Sequence, residues 1–351
     1  FCNSARGSSR SAIAAASSAI ALGGIGAVAH DWTIVLVLIG IGGIGNAFAQ
    51  VGGNLALAAG VGHARQGLAF GIKQSAVPTS SLLSGLAVPV IALTVGWRWS
   101  YALAFALAPI LAALLVRRLP LVPSRSPAGP AVPIRWPMLV AIAVAYGGAS
   151  GTSATLSAFV VGSAVHHGIA IGVAGTMLAA GSLVSISVRL AVGWIVDRRG
   201  RTGFGVISVL LLIGSIGYAA MASGGSAIFV IGCVIAFGAG WGWNGAFNHA
   251  VVSMNPRNPG SATGMTMIGM AVGGVVWPLV FGQIVERVGY GAAWSASAGV
   301  ALTSSAILAS CVRRMREGDS RDPPAITDEI GDGPVRRARG SRRARSARRV
   351  R

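Results

Sequence analysis

Lysine is almost absent from this chain. Of its 28 basic residues, across 351 positions, only Lys73 is lysine and the rest are arginine. Because Lys73 follows Ile72, the G-K-[ST] core of a phosphate-binding loop cannot be assembled, which excludes an ATP-driven pump working from this chain. Acid is scarce as well: nine Asp and Glu residues stand against a net charge of +19. Six of the nine follow residue 316, and the other three, Asp31, Asp197 and Glu286, lie at the ends of apolar runs. The three cysteines, Cys2, Cys233 and Cys311, have no spacing that makes a disulfide framework or a thiolate site. Five histidines, two of them the adjacent His166 and His167, form no ligand cluster. No nucleophile–base pair is recognisable. These absences lead to one expectation: no catalytic residue, no metal, no cofactor, and hence no enzyme.

What is abundant is apolar surface. Hydrophobic residues make up 53% of the chain and charged ones 11%, and the mean hydropathy of +0.69 excludes an ordinary soluble fold. Ten apolar runs can each cross a bilayer as a helix: 11–29, 33–60, 66–95, 100–119, 137–162, 169–196, 203–222, 226–252, 261–285 and 291–312. The expected class is an all-α integral membrane protein. Many of the 51 glycines, as in GIGGIGNAF and GMAVGG, suit close approach of membrane helices. Arginine marks alternate loops (Arg6 and Arg10; Arg65; Arg117, Arg118, Arg125 and Arg135; Arg198, Arg199 and Arg201; Arg257), whereas the opposite loops carry only Arg98 and Arg287. The positive-inside rule then predicts a multi-pass protein of the cell's inner (plasma) membrane with both termini in the cytoplasm. So placed, the positive charge does not point to nucleic acid. The basic tail at 313–351 is expected to be disordered; it suits anionic lipid headgroups, and a merely solvated tail is the plainer reading.

The chain also repeats itself. At an offset of 193 residues and with no gap, the stretch from Ala64 compares with the stretch from Arg257, so that Gly71 falls on Gly264 and Gly96 on Gly289. The same offset sets Arg6 and Gly7 against Arg199 and Gly200. Two halves are therefore expected. By the repeat, the first would begin roughly 56 residues before Phe1, with two further spans and twelve in all.

GWIVDRRGRT at 193–202 lies between two runs on the arginine-rich side. It resembles the signature G-x-x-x-D-[RK]-x-G-[RK] of the major facilitator superfamily, matched by Gly193, Asp197, Arg198, Gly200 and Arg201. GWRWSY at 96–101 and the Pro-rich PLVPSRSPAGPAVPIRWP also sit where that superfamily places them. The resemblance implies a bundle at 1–119, a linker at 120–136, a six-helix bundle at 137–312, and a secondary transporter with a small-molecule substrate and a central site. It also implies that Asp197 is a conformational latch pairing across to the other bundle. The plainer reading is a charged loop obeying the positive-inside rule. Ser4 stands where the first-half motif carries Asp, so that copy is not expected to latch.

Inside the runs, Asn46, Gln50 and Asn54 recur every four residues and form a polar stripe on one helix face. Asn244 and Asn248 fall within a residue of Gln50 and Asn54 after the 193-residue offset. These amides either line a cavity, as the resemblance implies, or bind the bundle together. Tyr146, Trp241, Trp243 and Phe247 are candidate aromatic walls. Lys73, with Gln74 beside it, and Arg189 are cations inside apolar runs that hold no deep carboxylate. Such a cation costs about 2.5–3.5 kcal/mol on the lenient insertion scale and calls for a partner, a wet cavity, or a stem that snorkels to the interface. In the resembled fold the two helices face each other, which invites an anion between them. Arg189-L-A-V-Gly193 is similar to the R-x-x-x-G of monocarboxylate porters, although Ser185 replaces an Asp common there. The expected substrate is a small organic anion. A proton-coupled drug antiporter remains an alternative, although only Pro78 survives of its fifth-helix pattern, and a non-transporting sensor is a further one. A coupling proton or ion is left open.

Overall fold

The computed structural model describes residues 17–18, 20–28, 31–118, 136–199, 203–255 and 259–321, and every regular element among them is helical. Phe1–Arg313 form one compact unit and Arg314–Arg351 a second. The helices are α1 (20–28), α2 (Trp32–Gly60), α3 (Gln66–Ala92), α4 (Arg98–Arg118), α5 (Trp136–His166), α6 (Ile171–Arg199), α7 (Phe204–Ala222), α8 (Ser226–Met254), α9 (Pro259–Arg287) and α10 (Tyr290–Arg321). Each of the ten apolar runs coincides with a helix over most of its described residues. Seven of these, α3 and α5–α10, are long and apolar enough to cross a membrane by length and composition among the residues searched. The last helix continues to Arg321, so residues 313–321 prolong it. Residues 322–351 and the linker residues 120–135 lie outside the described residues.

Helix is what this composition permits in a medium without water, because every interior N–H then has its carbonyl four residues back. Pro137 and Pro259 sit in first turns, where the missing N–H would have had no partner. The repeat reappears in the backbone. Gly96 and Gly289 have φ of 103° and 106°, and each donates its N–H to the carbonyl five residues back, Ile91 and Ile284, at 3.1 Å. Only glycine adopts that left-handed turn without a steric cost. Positions 193 residues apart therefore end their helices in the same way.

Two glycine seams set the helix spacing. In one, α5 lies against α9: a Cβ on Gly147 would stand 2.7 Å from the Gly269 carbonyl, and one on Gly151 2.6 Å from that of Gly273. In the other, α3 runs antiparallel to α6. A Cβ on Gly67 would stand 2.6 Å from the Gly193 carbonyl, one on Gly71 2.9 Å from that of Arg189, and one on Gly85 2.6 Å from that of Gly175. Around these seams α5–α10 bury an aromatic core of Tyr218, Phe229, Phe237, Trp241, Phe281 and Trp294. The exposed surface carries Leu83, Val90, Leu212, Val275 and Leu279, as a lipid-facing bundle requires. Beside the α3–α6 seam an open groove of about 510 Å³ is lined by Ile72, Ser75, Ala76, Thr79, Ser80, Leu83 and Leu190.

Candidate functional site

The site is built on two interruptions of helical hydrogen bonding. In α3, Pro78 has no N–H to give to Gln74, four residues earlier, so the Gln74 carbonyl is left without its helical donor. In α8, the helix widens to a π-turn at Ala236–Gly240 and resumes only at Asn244, which turns the Trp241 carbonyl aside. Both carbonyls point to one residue on α6. Arg189, 2% exposed, donates from one terminal nitrogen to Gln74 O and from the other to Trp241 O at 2.9 Å. Its guanidinium also lies over the Trp241 ring, 5.4 Å from the centroid. Its Nε has no hydrogen-bond partner among the described residues.

Lys73 is turned to a different neighbour. Its ammonium donates to Gln50 Oε1 and Asn54 Oδ1, both at 2.7 Å, and to the Gln50 carbonyl at 3.0 Å. Its ammonium is thus engaged by α2 through three hydrogen bonds. The oxygens that Lys73 and Arg189 reach are all neutral.

The expected amides join into a chain. Asn54 donates to Asn248 Oδ1 at 3.4 Å, Asn248 to the Asn244 carbonyl at 3.2 Å, and the Tyr146 hydroxyl to Asn244 Oδ1 at 3.4 Å. The chain Gln50–Lys73–Asn54–Asn248–Asn244–Tyr146 thus links α2 and α3 to α8 and α5. Tyr146 stacks on Phe247, centroids 3.9 Å apart, and Trp243 meets it edge-on at 5.5 Å while donating its indole N–H to Gly240 O at 2.7 Å. Gln74 is buried and enters through its carbonyl. Asn46 is exposed on α2 and stays outside the chain.

At the arginine-rich end, Asp197 Oδ1 accepts the N–H of Gly67 at 2.6 Å and Oδ2 that of Leu68 at 2.8 Å. The carboxylate of α6 thereby caps the first turn of α3, where free N–H groups and the helix dipole favour negative charge. The partners of the carboxylate on α3 are backbone N–H groups and not a side chain. Gly193 is the glycine that lets the two helices meet there. Arg198 lies over the Trp194 ring at 3.9 Å, a contact that the motif does not announce. Gly200 and Arg201 lie outside the described residues. The other unforeseen participants are the Gln74 and Trp241 carbonyls, for which Pro78 was the one available sign.

A family model described as Major Facilitator Superfamily matches residues 4–278 and 141–349. No curated protein matches the sequence. Among solved structures, the human organic anion transporter MFSD10 (TETRAN) is similar with a TM-score of 0.68 at 14% identity, over 85% of this chain and 76% of its own. The E. coli fucose:proton symporter FucP is similar with a TM-score of 0.61 at 15% identity, over 86% and 84%. A bacterial homologue of the iron transporter ferroportin, in an outward-facing state, has a TM-score of 0.60 at 11% identity, over 87% and 83%. At these identities the likeness is one of fold.

Proposed function

Because the chain belongs to the major facilitator superfamily, a family of secondary transporters and not of enzymes, we propose that this multi-pass membrane protein carries a small organic anion, most simply a carboxylate, by alternating access. One observation carries the reading: two cations, Lys73 and Arg189, are held deep in the helices by neutral oxygens alone, and Arg189 keeps a buried Nε–H to spare. A charge so placed gains most from an anion, which supplies a charge-assisted hydrogen bond where screening by water is weak. The amide chain and the Tyr146–Phe247–Trp243 wall supply polar and aromatic contacts for the rest of the substrate. That the structurally similar MFSD10 is described as an organic anion transporter agrees with this choice.

In this reading the arginine-rich helix ends and both termini face the cytoplasm, Asp197 is the latch at that face, and the basic tail lies against anionic headgroups. The hydrogen bonds from Gly67 and Leu68 of α3 to Asp197 of α6 support a closed cytoplasmic side in this reading. A coupled proton, as in the fucose:proton symporter, is tested by the same experiment.

That experiment is flux into proteoliposomes of the purified chain, comparing lactate and benzoate with tetraphenylphosphonium, with and without a pH gradient. Saturable carboxylate flux, lost in Arg189→Gln and in Lys73→Gln, is the expected result. Export of the lipophilic cation that survives both substitutions would replace this reading with a drug antiporter, for which the aromatic wall is the supporting feature.

A further inference from the structure

We propose that Pro78 is a positioning residue: it frees the Gln74 carbonyl so that Arg189 clasps α3 to α6, and an arriving anion opens the clasp by drawing the guanidinium away. The proposal deepens the anion reading of Arg189 and rests on it for the opening step.

The clasp follows from hydrogen-bond accounting. With any other residue at position 78, its N–H would donate to Gln74 O. Proline removes that donor, and a buried carbonyl without a donor is costly in a medium that offers no water. Gln74 and Arg189 are 3% and 2% exposed, so the guanidinium is the donor at hand, and it takes the place of the missing N–H. The bond crosses between the helices beside one of the close contacts of their seam, where a Cβ on Gly71 would stand 2.9 Å from the Arg189 carbonyl. The second carbonyl, Trp241 O at 2.9 Å, belongs to α8 and holds the other terminal nitrogen.

Two carbonyl dipoles do not neutralise a buried charge, and Nε is left over. The clasp is therefore a holding state. A carboxylate brings a full negative charge and two oxygens in the fork geometry that a guanidinium matches. To use two nitrogens at once it must draw at least one from a carbonyl. Release of Gln74 O cuts the polar tie at mid-seam and leaves α3 and α6 joined there by glycine contacts, with the Asp197 cap remaining at the arginine-rich end, so binding is linked to movement of one helix against the other.

The test is Pro78→Ala in the full chain, reconstituted in lipid nanodiscs, with a restored N–H at position 78 that competes for Gln74 O. Spin-label pairs at Val95 and Ile171, and at Ala64 and Trp194, report the distances between the two helices at their opposite ends; all four sites are exposed. Without ligand, Pro78→Ala is expected to widen the distance distribution of at least one pair, and Arg189→Gln to do the same. In the Arg189→Gln background, Pro78→Ala should add nothing further. An equal shift in both backgrounds would mean that the substitution merely straightens α3, and would overturn the clasp, as would no shift in either. With benzoate as the probe, Pro78→Ala is expected to bind about tenfold tighter than the parent, the factor that one ordinary charge-assisted hydrogen bond carries. Unchanged or weaker benzoate binding overturns the opening step. If the parent binds none of benzoate, lactate and acetate, the anion reading fails by itself, while the ligand-free distances still decide the clasp.

Discussion

Asn54 is the joint of the polar chain, since it accepts from Lys73 at 2.7 Å and donates to Asn248 at 3.4 Å. Asn54→Ala removes both bonds and leaves the ammonium with Gln50 alone. Expected are a loss of anion uptake and a destabilisation of about 1–2 kcal/mol, the range for interhelical polar contacts in membranes, read by thermal unfolding in detergent. Asn46→Ala is the comparison: exposed and outside the chain, it should leave uptake and melting unchanged. At this scale the sequence was legible wherever a side chain carries the chemistry. The spacing of Gln50 and Asn54, their counterparts Asn244 and Asn248, and the lone Lys73 all pointed to what the structure joins. It was illegible where the partner is main chain. Nothing in the letters Gln74 and Trp241 says that their carbonyls hold Arg189, because an acceptor that every residue possesses leaves no compositional trace. The chain also looks, from spacing alone, as if Asn46 belonged to it, since periodicity gives a face but not how far along that face a neighbour reaches.

The α3 and α6 helices meet through glycine, and their seam is as sensitive to one methyl group as a packed core is. A Cβ on Gly67 would stand 2.6 Å from the Gly193 carbonyl and 2.7 Å from Asp197 Oδ1. Gly67→Ala should therefore push the helices apart at the arginine-rich end at a cost of about 1–3 kcal/mol, the usual range for overpacking. A lower melting temperature and a faster reaction of a cysteine at Ala64 with a membrane-impermeant maleimide are the expected readouts. Gly205→Ala in α7 meets nothing within 4 Å and should be neutral or slightly stabilising. The elements themselves were the most legible part of the fold, because a run of 20 apolar residues has few alternatives in a bilayer. GMAVGG foretold close approach, and Gly269 and Gly273 fulfil it against α5. GIGGIGNAF foretold the same, yet of its three glycines with described surroundings Gly40 and Gly43 have nothing within 4 Å and only Gly42 meets another helix, through Ala21. A small residue permits contact without requiring it. The π-turn at Ala236–Gly240 had no sign in the sequence, since it contains no proline.

For the whole molecule, the proposed latch places the balance between open and closed forms, at one end, on Asp197 and its two N–H donors at 2.6 and 2.8 Å. Asp197→Asn keeps the shape but loses the charge and one of the two acceptor oxygens, a loss of about 1.5–3 kcal/mol for hydrogen bonds to a charged group. The arginine-rich end should then open more often, with a matching rise in maleimide labelling at Ala64; unchanged labelling would mean that the carboxylate caps α3 without latching anything. The repeat was legible from Gly71, Gly96, Gly264 and Gly289, and the paired caps at Ile91 and Ile284 show why two of those glycines hold their places. The seam has one more consequence, which is mechanical. Its contact at Gly71 and Arg189 is four residues from the contact at Gly67 but fourteen from that at Gly85, so a pivot there divides α3 into arms of ~6 Å and ~21 Å by helical rise. A turn of about 10° around that fulcrum displaces the short end by ~1 Å and the long end by ~4 Å. The same rotation that moves the Asp197 end by ~1 Å swings the far end by more than the width of a water molecule, so this lever is geared toward the side away from the arginines.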